Sequence, residues 1–197
     1  MSRLHGLAAP ADTSSSARPS RRRLRYVHVQ IDLAATLHQA GDSERAGALA
    51  GEALALALAS ADPRGQAQAH NLLGVLARGG ADLGGAAAHL EHSLVLAREL
   101  GDDAAQAAAL NNLALVRRDA DELEQARELT RLALDLCVAT GDRHREAALE
   151  NNLADIDHAA GDRDASMEHL KRAVAIFAEV EADDATRMPE IWKLVSW

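Results

Sequence analysis

Along the chain, small and apolar residues recur three and four positions apart in stretches of roughly 15–20 residues, separated by short polar breaks. That is the periodicity of helices with one buried face. The breaks resemble one another. Gly41-Asp42, Gly101-Asp102, Gly141-Asp142 and Gly161-Asp162 each supply a glycine to end one helix in the left-handed conformation and an aspartate to cap the next. Asp62-Pro63 does the same with proline at the first helical position. The pattern predicts helices at about 26–40, 42–60, 63–79, 82–100, 103–119, 122–140, 143–160 and 162–181. Connections this short fold each helix back antiparallel on its predecessor.

Sliding the chain against itself shows that these helices are copies. At an offset of 40 the register holds from about residue 30 to residue 180. Leu33, Leu73, Leu113 and Leu153 form one column, followed by Ala34, Gly74, Ala114 and Ala154. Other columns hold Ala46, Ala86, Ala126 and Ser166, and Ala53, Ser93, Ala133 and Ala173. Small residues mark the lines where helices approach closely, and the leucines fill the space beside them. Cys137 shares a column with Ala57, Ala97 and Phe177, which makes it a packing position. Gly47, Gly51, Gly84 and Gly85 fall inside helices and make the first two repeats the softer end.

Composition agrees with an all-helical chain. Of 197 residues 44 are alanine and only four are aromatic, Tyr26, Phe177, Trp192 and Trp197, a poor supply for sheets. No apolar run reaches the ~20 residues of a membrane span. A single cysteine, Cys137, excludes an internal disulfide framework and a cysteine-based zinc site. Charge is uneven: residues 1–25 carry +5 and the rest −14. Residues 1–24, with Pro10, Pro19 and three consecutive serines, read as a disordered basic arm. The arm is an idle leader, a partner for the acidic body, or a contact for anionic surfaces. The acidic body argues against nucleic acid as the main ligand.

These columns resemble tetratricopeptide repeats: Leu then a small residue in the first helix, and Ala twice, seven apart, in the second. The 40-residue unit, with ALNNLA at 109–114 and LENNLA at 149–154, is similar to the longer repeats of kinesin light chains and of bacterial regulatory proteins. The tail 188–197, MPEIWKLVSW, is similar to the ends of large actinobacterial regulators that join an ATPase to repeats. Where the family places aromatic residues, this chain has Gln30, His70, Leu110 and Glu150, and then Leu37, Ala77, Arg117 and Asp157. The resemblance implies an all-α, right-handed α-solenoid of four helix pairs, about 26–61, 62–101, 102–141 and 142–181, with the first helix of each pair lining a concave face. Residues 182–197 then form a C-terminal cap in which Ile191, Trp192 and Leu194 cover the last repeat.

Catalytic signatures are missing. The chain has no GxxxxGK[ST], no GxSxG and no HExxH. His89 and His92 lie one turn apart without a third obvious ligand, so neither a metal nor another cofactor is expected. The stronger signal is a ladder on the first helices. Two positions before the leucine column stand Ile31, Asn71, Asn111 and Asn151; two after it, Ala35, Val75, Leu115 and Asp155; five after it, His38, Arg78, Arg118 and His158. A row of carboxamides can grip the main chain of an extended peptide, and the Arg and His row attracts acidic groups or a terminal carboxylate. The same asparagines can instead satisfy carbonyls of the adjacent repeat, and the charged row can be a solvated face.

The expectation is a non-enzymatic, cytoplasmic interaction module that holds a peptide or protein segment, with the N-terminal repeat as a place for self-association. The alternative is the sensor portion of a bacterial transcription-control system.

Overall fold

The computed structural model describes residues 21–187, with side chains as far as Glu181. They form α1 (Arg21–Gln39), α2 (Ser43–Ala59), α3 (Pro63–Gly79), α4 (Leu83–Glu99), α5 (Asp103–Asp119), α6 (Leu123–Thr140), α7 (Arg143–Ala159) and α8 (Arg163–Arg187), with no strand among the described residues.

Every turn is built alike. Residues 41, 61, 81, 101, 121, 141 and 161 take a φ between 46° and 86°, one left-handed residue every 20 positions. The N–H of the residue that follows each of them donates to the carbonyl five positions back, at 2.8–3.0 Å, and so closes the preceding helix. In six of the seven turns that following residue is an aspartate, whose carboxylate accepts the N–H three positions on at 2.9–3.2 Å and opens the next helix. One residue thus ends a helix with its backbone and starts another with its side chain. Glu122 is the exception: its longer side chain makes no cap bond and accepts instead from Arg117 at 3.1 Å.

Repeated reversal stacks the helices in chain order, each against its neighbours in sequence, as an α-solenoid. The core is thin and made of small residues. Among the described residues, 17 of the 30 buried apolar ones are alanine, so helices can meet almost backbone to backbone. At Gly74 even a methyl group is excluded, since a Cβ there would lie 2.5 Å from Leu90 Cγ. In the first repeat the same two positions hold Ala34 and Ala50, which divide the volume evenly.

The chain ends differ from expectation. α1 begins at Arg21 rather than 26, because arginine is a good helix former and nothing in 21–25 interrupts the turn. α8 runs to Arg187, with no glycine or proline to stop it. Residues 1–20 of the expected arm and the capping residues Ile191, Trp192 and Leu194 lie outside the described residues. Leu113 and Leu153 are buried as the column predicts, but Leu33 and Phe177 are exposed, since no helix of the described residues covers their outer sides.

Candidate functional site

The odd-numbered helices touch across repeats, α1 with α3 and α3 with α5, whereas no pair of even-numbered helices makes comparable contact. The odd helices therefore line the inner side of the curve. A hollow of about 440 Å³ opens there, with Ile31, Ala35, Val75 and Ala108 on its apolar surface and Asp32, Gln68, Asn71 and Arg145 among its polar groups. Alanines at 104, 105 and 108 create the space, because side chains this short leave the face of α5 recessed.

The asparagine column lies on this face, and its polar atoms are partly engaged. Asn112 Nδ2 donates to Asn71 Oδ1 at 3.0 Å, and Asn152 Nδ2 donates to Asn111 Oδ1 at 2.7 Å. Further links share the spacing of 40 or 41 residues: His28 with Gln68 at 2.7 Å, Arg78 with Asp119 at 2.6 Å, and Arg145 with the carbonyl of Ala104 at 3.5 Å. Successive repeats are thus sewn together along the inner wall by polar contacts at equivalent heights. Each amide used as an acceptor still carries two N–H donors, and Asn151 is exposed. Val75 and Leu115 are half-buried beside them.

The Arg and His row occupies the last turn of each inner helix, where cations offset the negative end of the helix dipole. Asp119, which the column reading passed over, sits between Arg78 and Arg118 and accepts from both, at 2.6 and 3.2 Å. Partial burial pushes its carboxyl upward, but the hydrogen bonds and charges of the two arginines outweigh this and hold it below the usual carboxylate range. Arg118 also reaches Asp155 at 4.0 Å. Three predicted residues therefore join in one charge chain whose net positive field is largely cancelled. His38 meets Ser43 Oγ at 3.3 Å, and His158 is exposed.

Two clusters lie between the helices of a pair, and both replace expected aromatic residues. His70 joins His89 and His92: its Nδ1 is 2.9 Å from His89 Nδ1, and its ring lies 5.1 Å from that of His92. Burial, followed by the neighbouring imidazoles, pushes its pKa down to about 4. Among the described residues no group of three or more His, Cys, Asp or Glu side chains is arranged to hold a metal ion. In the last repeat, buried Glu150 meets His169 at 2.5 Å, and buried Asp157 meets both His169 at 3.5 Å and Arg127 at 2.7 Å. Cys137 is buried, which pushes its thiol up, with Arg145 opposing.

Residues 105–179 match the model of the tetratricopeptide repeat. That stretch carries the tetratricopeptide-repeat pattern, and the chain shares its fold with proteins built of such repeats. Its fold is shared with BtubC (BKLC) from P. vanneervenii, at 19% identity and a TM-score of 0.71 over 81% of this chain and 66% of that one. It is also shared with aspartyl phosphate phosphatase F from Bacillus subtilis, at 13% identity and a TM-score of 0.75 over 82% of this chain and 43% of that one. A putative kinesin light chain with nearly identical TPR-like repeats from Podosopora anserina matches at 15% identity and a TM-score of 0.56, over 82% of this chain and 99% of that one. The chain thus spans less than two thirds of the first two of these proteins. No curated protein matches it by sequence. Among its described residues, no helix is long and apolar enough to cross a membrane.

Proposed function

We propose that the concave face binds a peptide or protein segment, without catalysis, in the hollow between α1, α3 and α5. The observation that supports this reading is the hollow itself: an apolar floor of alanine, isoleucine and valine beside the free amide donors of Gln68 and Asn71. An apolar side chain of an extended segment fits the floor while its main-chain carbonyls meet the amides. Asn111, Asn151, Val75 and Leu115 continue the same strip toward the C-terminus. Asp119 and Asp155 neutralise Arg78 and Arg118, and Arg145 is paired with Asp142 at 3.0 Å, so selectivity for acidic partners rests on His38 and His158. A cytoplasmic location fits such a module.

The test is to pan a random peptide library on the full chain and measure the selected peptide against two variants. Ala108→Arg fills the hollow and should weaken binding at least tenfold with the melting temperature unchanged. Asn151→Ala, at the far end of the strip, should cost much less. Equal affinity in wild type and Ala108→Arg would remove the hollow as the site.

A second reading, a regulatory sensor of a bacterial transcription-control system, draws on the size of the same hollow. At about 440 Å³ it lies within the range of small-molecule sites. A small effector that displaces the selected peptide, or raises the melting temperature by itself, would favour it.

A further inference from the structure

The two ends of the solenoid expose the residue columns that its interior joints bury. Val29 is 59% exposed, while its counterparts Ala69, Ala109 and Leu149 are at most 1% exposed. Leu33 repeats this, at 51% against 5% and 1% for Leu113 and Leu153. On the far end, Phe177 is 43% exposed, and its counterparts Ala57, Ala97 and Cys137 are buried. Leu170 and Val174 complete that stripe, seven and three residues before Phe177 on one face of α8. Every interior joint packs an even helix on the odd helix that follows. The described residues leave α1 without a helix before it and α8 without one after it.

We infer that the α8 face of one copy docks on the α1 face of a second copy, continuing the interior register across the two chains. That register names the contacts. Ala69 clusters with Ala53 and Ala57, and Leu149 with Ala133 and Cys137, which sets Val29 of the second copy against Ala173 and Phe177. Leu113 clusters with Leu90, which sets Leu33 of the second copy against Leu170. Arg145 lies beside Cys137, so its counterpart Arg25 in the second copy comes over the Phe177 ring, a cation–π arrangement.

Two independent features favour a second copy. The α1 end carries an open hollow of about 580 Å³, lined by Arg22, Arg25, Tyr26, Val29 and Leu56 among others, at the place where the register puts Phe177. The charges also match: α1 opens with Arg21, Arg22 and Arg25, and the same register brings these against the outer part of α8, which carries Glu181 and, already paired with Arg143, Glu179. The joint is heterologous, so it builds open chains rather than closed pairs. It is independent of the groove reading, because it uses the outer ends and leaves the concave wall free.

Sedimentation velocity of the full chain tests it. Wild type should show a weight-average mass that rises with protein concentration, beyond that of a dimer. Val29→Glu and Val174→Glu each spoil one end at an exposed site, so each alone should run as a folded monomer with unchanged helical circular dichroism. Their equimolar mixture retains one intact joint and should give a 1:1 dimer and nothing larger. A monomeric wild type at all concentrations that begins to associate when residues 188–197 are deleted would overturn the proposal, because the chain's own tail then covers α8. Association untouched by either substitution, or a mixture that stays monomeric, would overturn it as well.

Discussion

The second and fourth hairpins, α3–α4 and α7–α8, have the same backbone plan and place a histidine at the same point of the second helix, yet they solve the same packing problem in opposite ways. His89 faces His70, and 80 residues later His169 faces Glu150. Two imidazoles this close share a hydrogen bond only while at least one of them is uncharged, whereas His169 has a carboxylate on each side, Glu150 and Asp157. The joints that lead into these hairpins differ in the same sense. Gly47 and Ala77 occupy the small-residue positions between α2 and α3, where Arg127 and Asp157 form an ion pair between α6 and α7. Their turns differ too: Ala81 is forced into the left-handed region at φ 62°, where Gly161 takes φ 83° without a Cβ to clash. The repeat thus prescribes the backbone and leaves each hairpin to fill its interior by a separate chemistry.

The largest effect should come from the ion pair. Asp157 is 2% exposed, and Asp157→Ala leaves the Arg127 guanidinium almost buried with one carboxylate, Glu124, at the surface. A loss of about 3 kcal/mol is expected in urea unfolding. Adding Arg127→Ala copies the small pair of the α2–α3 joint and should recover most of that loss. If the single substitution costs less than about 1 kcal/mol, the fourth hairpin is held by its apolar residues Leu149, Leu153 and Ile156, and the contrast with the second is one of decoration.

A smaller effect separates the hairpins by pH. His70 ordinarily titrates near 6.5 and in the fold at about 4. Between these values the unfolded chain holds more protons, so this contribution is complete above pH 6.5 and is lost as the pH falls toward 4. The side chain is partly exposed, and solvent screening reduces the effect to about 1 kcal/mol. His70→Leu with His89→Leu reproduces Leu110 and Leu129 of the third repeat, and it should flatten the stability curve across that window relative to wild type. Parallel curves for the two proteins would show that the imidazole cluster does not sense protons.

Backbone features were the legible part of this chain. A Gly-Asp pair states its function locally, so four turns and eight helices could be read from spacing, and the alanine columns announced close approach before any contact was known. Side-chain partners were less legible because they depend on which helix faces which. His70 lies 19 residues before His89 and off its column, so the imidazole cluster was invisible to an offset of 40. Asp119 escaped for a similar reason: it stands one place beyond the Arg118 column, and its link to Arg78 spans 41 residues. The asparagine column was legible as a ladder but its bonding was not, because the acceptors of Asn71 and Asn111 are met by Asn112 and Asn152 from the column beside it. Ala61 and Ala81 carry no signal for a left-handed turn, and only the regular interval of 20 places them there.

That interval supplies the smallest and sharpest test. A left-handed alanine costs roughly 1 kcal/mol relative to its favoured conformations, while glycine pays mainly in the greater freedom of the unfolded chain. At position 81 the φ is fixed by the Asp82 N–H, which donates to the Ala77 carbonyl at 2.9 Å, and by the Asp82 carboxylate, which accepts from Gly85 at 2.9 Å. Neither bond needs the Ala81 side chain. Ala81→Gly should therefore raise stability by about 0.5 kcal/mol, roughly 1–2 °C in melting temperature for a chain of this size. Gly161→Ala, which meets no steric obstacle beyond its own φ of 83°, should lower it by a similar or larger amount. Because the two substitutions exchange the turn chemistry of the second and fourth hairpins, the double variant should return near the wild-type value. A fall in melting temperature with Ala81→Gly would place the strain of the second hairpin elsewhere, at the close approach of Gly74 to Leu90.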